Sequence, residues 1–233
     1  MWSTRALCCA LSLLLLPVGA SRAGEVSFSG VLPNGAVYSQ RVESMQERRF
    51  RNVVRQHTDY SCGAAALATI LRYAYHLDAD EGTVIEGMMG VSDPELVHQR
   101  GFSLLDIKRY VESMGMRGRG YRVNEERLRS LRVPGLVLMD VRGFRHFVVL
   151  KQVRDDVVDV ADPILGNRSI PVSEFLQAWP SRAVFIVIGT DFDRNTVLLQ
   201  PGERPSARSL YARQGPITDA ELVDFGFTHA DLF

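Results

Sequence analysis

The first place where chemistry is legible in this chain is a single thiol at the head of a helix. Cys62 follows Gln56-His57-Thr58-Asp59-Tyr60-Ser61 and leads into Gly63-Ala64-Ala65-Ala66-Leu67. Unpaired backbone N–H groups and the positive end of the helix dipole favour thiolate over thiol there. Gly63 and the alanines behind it leave the sulfur accessible and let a substrate backbone come close. Gln56 lies six residues upstream and can bring its side-chain amide beside the Cys62 N–H. Two donors aimed at one point form an oxyanion hole, and losing one such donor costs roughly 100- to 1000-fold in rate. The plain alternative is a buried helix that merely contains a cysteine.

A thiolate nucleophile needs a base, and the chain has five histidines. His57 lies on the loop just ahead of Cys62 and is a rival that points along the loop. His76 and His98 fall in helical stretches and read as surface residues. His229 sits in a loosely composed tail. His146 differs, because Gly143-Phe144-Arg145-His146-Phe147-Val148-Val149-Leu150 puts it at the start of an apolar strand after a turn. A strand edge is rigid enough to hold an imidazole against a helix tip. The base needs an acceptor on its other nitrogen. Asp162 follows sixteen residues later in Val160-Ala161-Asp162-Pro163, just past the next extended run, and a hairpin would return it to His146. Asp-Pro also starts turns, so Asp162 can be read as a turn former alone.

The elements that must position these groups follow from periodicity. Cys62 to about His76 is apolar around most of its surface, as a buried central helix would be. Residues 80–115 read as helical, with Ser103-Leu104-Leu105-Asp106 as a capping box and Gly115 and Gly118 as the stop. After residue 118 the period shortens. Leu136–Val141, His146–Val153 and Val157–Val160 read as strands joined at Arg142-Gly143 and Arg154-Asp155-Asp156. Asn167–Ile170 is a further strand, Val172–Trp179 a short helix and Ala183–Gly189 a last buried strand. Helices first and an antiparallel meander second predict an α+β fold, with the cysteine helix packed on the sheet.

Length and composition set the frame. The 233 residues, 46% hydrophobic and 23% charged, suit one globular domain with small additions. Lysine plus arginine and aspartate plus glutamate are 27 each, so nothing points to nucleic acid. Met1–Arg5, the apolar run Ala6–Ala20 and the small residues of Ser21-Arg22-Ala23 form a secretory signal peptide over 1–23. The apolar run is too short to span a bilayer, and no later segment is long and apolar enough. Cleavage removes Cys8 and Cys9 and leaves Cys62 alone, a thiol that can form no internal disulfide. Residues 24–50 read as an N-terminal arm, 51–190 as the main domain and 191–233 as a C-terminal appendage. Within the appendage, Thr218-Asp219-Ala220-Glu221 is a second capping-box pattern and predicts a terminal helix.

The pattern resembles the double-glycine leader peptidases, papain-like cysteine peptidases found as the N-terminal domain of bacteriocin-exporting transporters. The resemblance spans about Arg55 to Gly189. It rests on Gln56 six before Cys62, the Cys-Gly-x-Ala-x-Leu run, the His146-Phe147-Val148-Val149-Leu150 strand, Asp162-Pro163, and Phe175 with Trp179 before a last strand. It implies Gln56 as the oxyanion residue, Cys62 as nucleophile, His146 as base and Asp162 as its orienter, with no cofactor and no metal. Members often carry an acidic residue just before the nucleophile, where this chain has Ser61. No membrane or nucleotide-binding domain is visible and no P-loop is present, so the expectation is a stand-alone exported member that does not use ATP. Stand-alone relatives include the peptidase of a functional-amyloid secretion system, and this chain is similar in layout.

The expected protein is thus a periplasmic or secreted cysteine endopeptidase. It would cut a peptide or protein substrate after a double-glycine-like site, with a secretion-system component as a further partner. Two rivals share the residues: a thiol amidase or transpeptidase acting on peptidoglycan peptides, and a peptide-binding module without turnover.

Overall fold

The structure is a computed structural model. It describes residues 43–200 and, as backbone only, two short strands ahead of them. These are β1 (Glu25–Phe28) and β2 (Tyr38–Arg41), which pair antiparallel. The expected signal peptide and the expected helix near Thr218 lie outside the described residues. The helices are α1 (Met45–Arg49), α2 (Cys62–Ala74), α3 (Glu81–Met89), α4 (Pro94–Arg100), α5 (Leu104–Ser113), α6 (Glu125–Ser130) and α7 (Val172–Ala178). The remaining strands are β3 (Arg117–Arg122), β4 (Gly135–Val141), β5 (Phe144–Arg154), β6 (Val157–Asp162), β7 (Gly166–Pro171) and β8 (Ala183–Ile188). None of the described helices is long and apolar enough to cross a membrane.

The six later strands form one antiparallel sheet in the order β3-β8-β4-β5-β6-β7. The expected α+β class and the helix packed on the sheet are both present, but the sheet is more than a meander. β8 leaves the end of the meander and inserts between β4 and the edge strand β3. The stretch 80–115, expected as helical, is three helices, broken between Gly90 and Asp93 and at Gly101. Asp93 caps α4 through its side chain, and Pro94 stands at its first turn, where proline costs nothing.

Sequence periodicity works where burial is two-sided. Along β5, Phe147 and Val149 pack with α2, while Val148 and Leu150 pack with Phe175 and Trp179 from the other side. A strand covered on both faces reads as an unbroken apolar run. Helix α2 is buried nearly all round, with Leu67, Leu71 and Ala64–Ala66 inaccessible. Trp179 is fully buried against Phe175, ring centroids 5.3 Å apart, and donates its indole N–H to the Ala183 carbonyl at 3.1 Å.

Two connections decide where the chemistry sits. Arg142 and Gly143 join β4 to β5 with φ of 56° and 84°. Positive φ at both central positions is what a type I′ hairpin requires, and it sets the register that pairs Met139 with His146. Gly166 opens β7 at φ +80°. A Cβ there would stand 2.5 Å from the Arg49 carbonyl oxygen, so only glycine lets the arm pass so close. Asn167 then donates to the carbonyls of Arg49 (3.2 Å) and Arg51 (2.8 Å). Residues 191–200 pack on the far end of α2. There Asp193 donates its N–H to Ala74 at 2.9 Å, and Leu198 is fully buried.

Candidate active site

Cys62 is the first residue of α2 and is partly exposed. Main-chain N–H groups of Phe147, Gly63 and Cys62 itself favour charge on its sulfur. Burial nonetheless pushes the thiol up from its ordinary value; these donors work against that without cancelling it, and the nearby Asp162 charge adds to the rise. The helix tip favours the thiolate as expected, but desolvation outweighs it and the peptide donors, which agrees with the expected need for a partner. A stable thiolate here needs a cation beside it. The expectation for Gly63 is corrected. It is buried, and a Cβ would meet the Phe147 ring at 3.2 Å and Ile107 at 3.4 Å. Its smallness lets the helix tip close on the histidine strand instead of opening a path for substrate.

His146 is 5% exposed and Asp162 1% exposed. The imidazole Nε2 lies 3.0 Å from Asp162 Oδ2. Asp162 is the last residue of β6, not a residue beyond it, and its other oxygen accepts from the N–H groups of Ile164 (2.9 Å) and Leu165 (3.0 Å). The two carboxylate oxygens are thus divided, one on the turn and one on the imidazole. Burial pushes the Asp162 carboxyl up, but the hydrogen bond and charge of His146 and the two N–H donors outweigh it and hold it below the ordinary carboxylate value. With Nε2 facing a carboxylate, Nε2 carries the proton and Nδ1 is the free base. Nδ1 is buried and has no hydrogen-bond partner among the described residues. The Phe144 ring, 58% exposed, leans on the imidazole with centroids 5.4 Å apart.

Gln56 is anchored at its backbone by donating to the Pro163 carbonyl at 2.9 Å, one residue past Asp162. Its side-chain Nε2 donates one hydrogen to the Thr58 carbonyl at 2.6 Å, which leaves the second amide hydrogen free. Upstream, the Val54 N–H donates to Thr69 Oγ1 at 3.0 Å, tying this segment to α2. His57, the rival base, is turned away: its Nδ1 sits 2.7 Å from Glu81 Oε2. His98 is exposed and stacks edgewise on Tyr60 at 5.2 Å, while His76 is exposed and meets Asp193 at 3.2 Å. His229 lies outside the described residues.

Sequence reading passed over Glu81, a buried carboxylate that accepts from residues just ahead of the nucleophile. No spacing rule links positions 61 and 81; the one trace is Ser61 itself, a hydroxyl in a position where the resemblance leads one to look for an acid. Among the described residues no group of three or more metal-ligating side chains occurs. The arrangement can do acyl transfer through sulfur: a nucleophile, a base with one nitrogen oriented and the other free, and N–H donors around the sulfur.

The Peptidase C39 family matches residues 51–191, more than half of the chain. The probable functional amyloid protease FapD of Pseudomonas fluorescens is 48% identical over 96% of this chain and 98% of its own length. Its counterpart in Pseudomonas aeruginosa is 49% identical over the same shares. Among solved structures, the peptidase domain of Streptococcus ComA, a bifunctional ABC transporter, matches with a TM-score of 0.51 over 59% of this chain and 98% of that domain. At 16% identity that likeness speaks for the fold alone, and it is the papain-like one. A family match of this extent, joined to near-half identity with relatives of the same length, settles the assignment: the chain belongs to the Peptidase C39 family and is a cysteine peptidase.

Proposed function

We propose that the chain is an exported endopeptidase that cuts after a small-residue, double-glycine-like site in a secreted substrate or leader. Cys62 passes its proton to His146 Nδ1, and the sulfur attacks the scissile carbonyl carbon. The Cys62 N–H and the second Gln56 amide hydrogen receive the oxyanion. His146 gives the same proton to the leaving amine, leaving a thioester on Cys62. A water loses its proton to Nδ1, attacks the thioester and frees the acid, and the thiol is restored. Asp162 accepts from Nε2–H throughout and keeps the imidazole in the tautomer that exposes Nδ1.

The observation that carries this reading is the divided imidazole: Nε2 at 3.0 Å from Asp162 and Nδ1 buried without a partner among the described residues, on the strand whose next N–H, that of Phe147, favours charge on the Cys62 sulfur. Export is supported by the basic start, the apolar run to Ala20 and the small residues before Gly24. The two pseudomonad relatives are named as functional amyloid proteases, which supports a substrate within a functional-amyloid secretion system and a component of that system as partner.

The test is a peptide panel offered to the purified chain without residues 1–23, read by mass spectrometry. Internal Gly-Gly peptides should be cut on the carboxyl side of the second glycine, and Cys62→Ala and His146→Ala should abolish cutting. Release of peptidoglycan stem peptides with Gly-Gly peptides intact would replace the endopeptidase by an amidase. Binding of both sets without cleavage would leave a peptide-binding module.

A further inference from the structure

One buried titratable group stands beside the site without a part in the chemistry above. Glu81 opens α3 and is 7% exposed. Its Oε1 accepts from the N–H groups of His57 at 2.8 Å and Thr58 at 3.3 Å, and from the Ser61 hydroxyl. Its Oε2 meets His57 Nδ1 at 2.7 Å. All four donors belong to residues 57–61, the segment that separates Gln56 from Cys62. Ser61 precedes α2 in the N-cap position, yet its hydroxyl does not cap the helix; it turns to Glu81 and to the Thr58 carbonyl at 2.8 Å. Helix α3 is itself a firm mount, because Asp80 and Thr83 close a reciprocal capping box around its first turn.

We propose that Glu81 is a positioning residue for the oxyanion hole: it holds residues 57–61 in the curve that brings the Gln56 amide to the Cys62 N–H. The two ends of the segment have other anchors, Gln56 on Pro163 and Cys62 in α2. The middle is held by Glu81. The link to Gln56 runs through the Thr58 carbonyl, which accepts from Gln56 Nε2 at 2.6 Å and from the Ser61 hydroxyl at 2.8 Å, while Glu81 holds that hydroxyl and, in the preceding peptide, the Thr58 N–H. Releasing the two would free the Thr58 carbonyl to turn, and the Gln56 amide with it. The proposal rests on the reading of Gln56 and the Cys62 N–H as oxyanion donors.

Two probes separate the hole from the nucleophile. A peptide aldehyde ending in glycinal adds the Cys62 sulfur to its carbonyl, and the carbonyl oxygen enters the hole. Iodoacetamide loses iodide from a tetrahedral carbon and needs no hole. For the chain without residues 1–23, we compare Glu81→Ala, Glu81→Gln and Gln56→Ala on a quenched Gly-Gly peptide, with both probes. Glu81→Ala should lower kcat about ten- to a hundredfold, less than or equal to the loss of a donor itself. KM should stay within about threefold and alkylation within about twofold, while aldehyde affinity falls with kcat. Glu81→Gln keeps an acceptor for the two N–H groups and should recover most of kcat. If Glu81→Ala does not fold, Glu81→Asp, with the charge drawn back by one methylene, carries the same comparison. A lower Tm with unchanged kcat and aldehyde affinity would make Glu81 purely structural and overturn the proposal. Slowing of alkylation in step with kcat would place its effect on the thiol and overturn it too. Full activity in Gln56→Ala would sink the oxyanion reading itself, whereas an inactive Gln56→Ala beside a normal Glu81→Ala sinks only the role given to Glu81.

Discussion

At the scale of single residues, the site is governed by a contest between desolvation and charge. Burial pushes the Cys62 thiol up, so its ionisation cannot come from the helix tip alone. The compensating charge available is a protonated His146, held in place by Asp162. Removing that imidazole should therefore do more than remove a proton carrier. In His146→Ala, iodoacetamide should modify Cys62 more slowly than free cysteine at pH 7, and the rate should rise only at higher pH, because burial leaves an unpaired thiol with little thiolate at neutral pH. The parent should react faster than free cysteine at neutral pH. Alkylation of His146→Ala as fast as the parent at neutral pH would mean that the thiolate does not depend on the ion pair.

At the scale of elements, the site depends on how closely the tip of α2 meets β5. Gly63 faces the ring of Phe147, the residue after His146. Gly63→Val would put branched carbon where even one Cβ meets that ring at 3.2 Å, and it should separate sulfur from imidazole. Trp179 packs with Phe175 in the hydrophobic cluster on the other side of the sheet, separate from the one that holds α2. Trp179→Ala should cost about 3–5 kcal/mol of stability through its cavity. The expected contrast is a large loss of kcat with modest loss of stability for Gly63→Val, and the reverse per folded molecule for Trp179→Ala, read by kinetics beside urea unfolding. Equal effects of both on kcat would show that the site is sensitive to general loosening and not to this one contact.

At the scale of the whole molecule, two buried carboxylates tie separate parts of the chain together and make stability depend on acid. Burial alone would push both Asp162 and Glu81 up; their donors outweigh it and hold both below the ordinary carboxylate value in the folded protein. Unfolding returns them to that ordinary value. Their contribution is thus present above the ordinary carboxylate range and is lost as pH falls through the lower, folded values. The urea midpoint should drop from pH 6 towards pH 3. A double variant, Asp162→Asn with Glu81→Gln, should start lower and lose less over the same interval. A double variant with the same acid slope as the parent would assign the acid loss to other carboxylates.

What the sequence by itself determined is whatever local periodicity and local chemistry carry. The buried helix after Cys62, the strand after His146, the Arg142-Gly143 turn and the Ser103 capping box are legible because each is decided within a few neighbouring residues. Strand β3, Arg-Gly-Arg-Gly-Tyr-Arg, and helix α6 went unread, because an exposed edge strand has no apolar alternation and exists by its pairing with β8. Tertiary structure alone decided that β8 joins the sheet between β4 and β3, and that Gly63 serves packing. It also decided that burial outweighs the dipole at the thiol, and that a carboxylate from α3 gathers the four donors of residues 57–61. Each of these turns on groups distant in sequence meeting in a desolvated place, where the strength of a charge or a hydrogen bond is set by its surroundings and not by its neighbours along the chain.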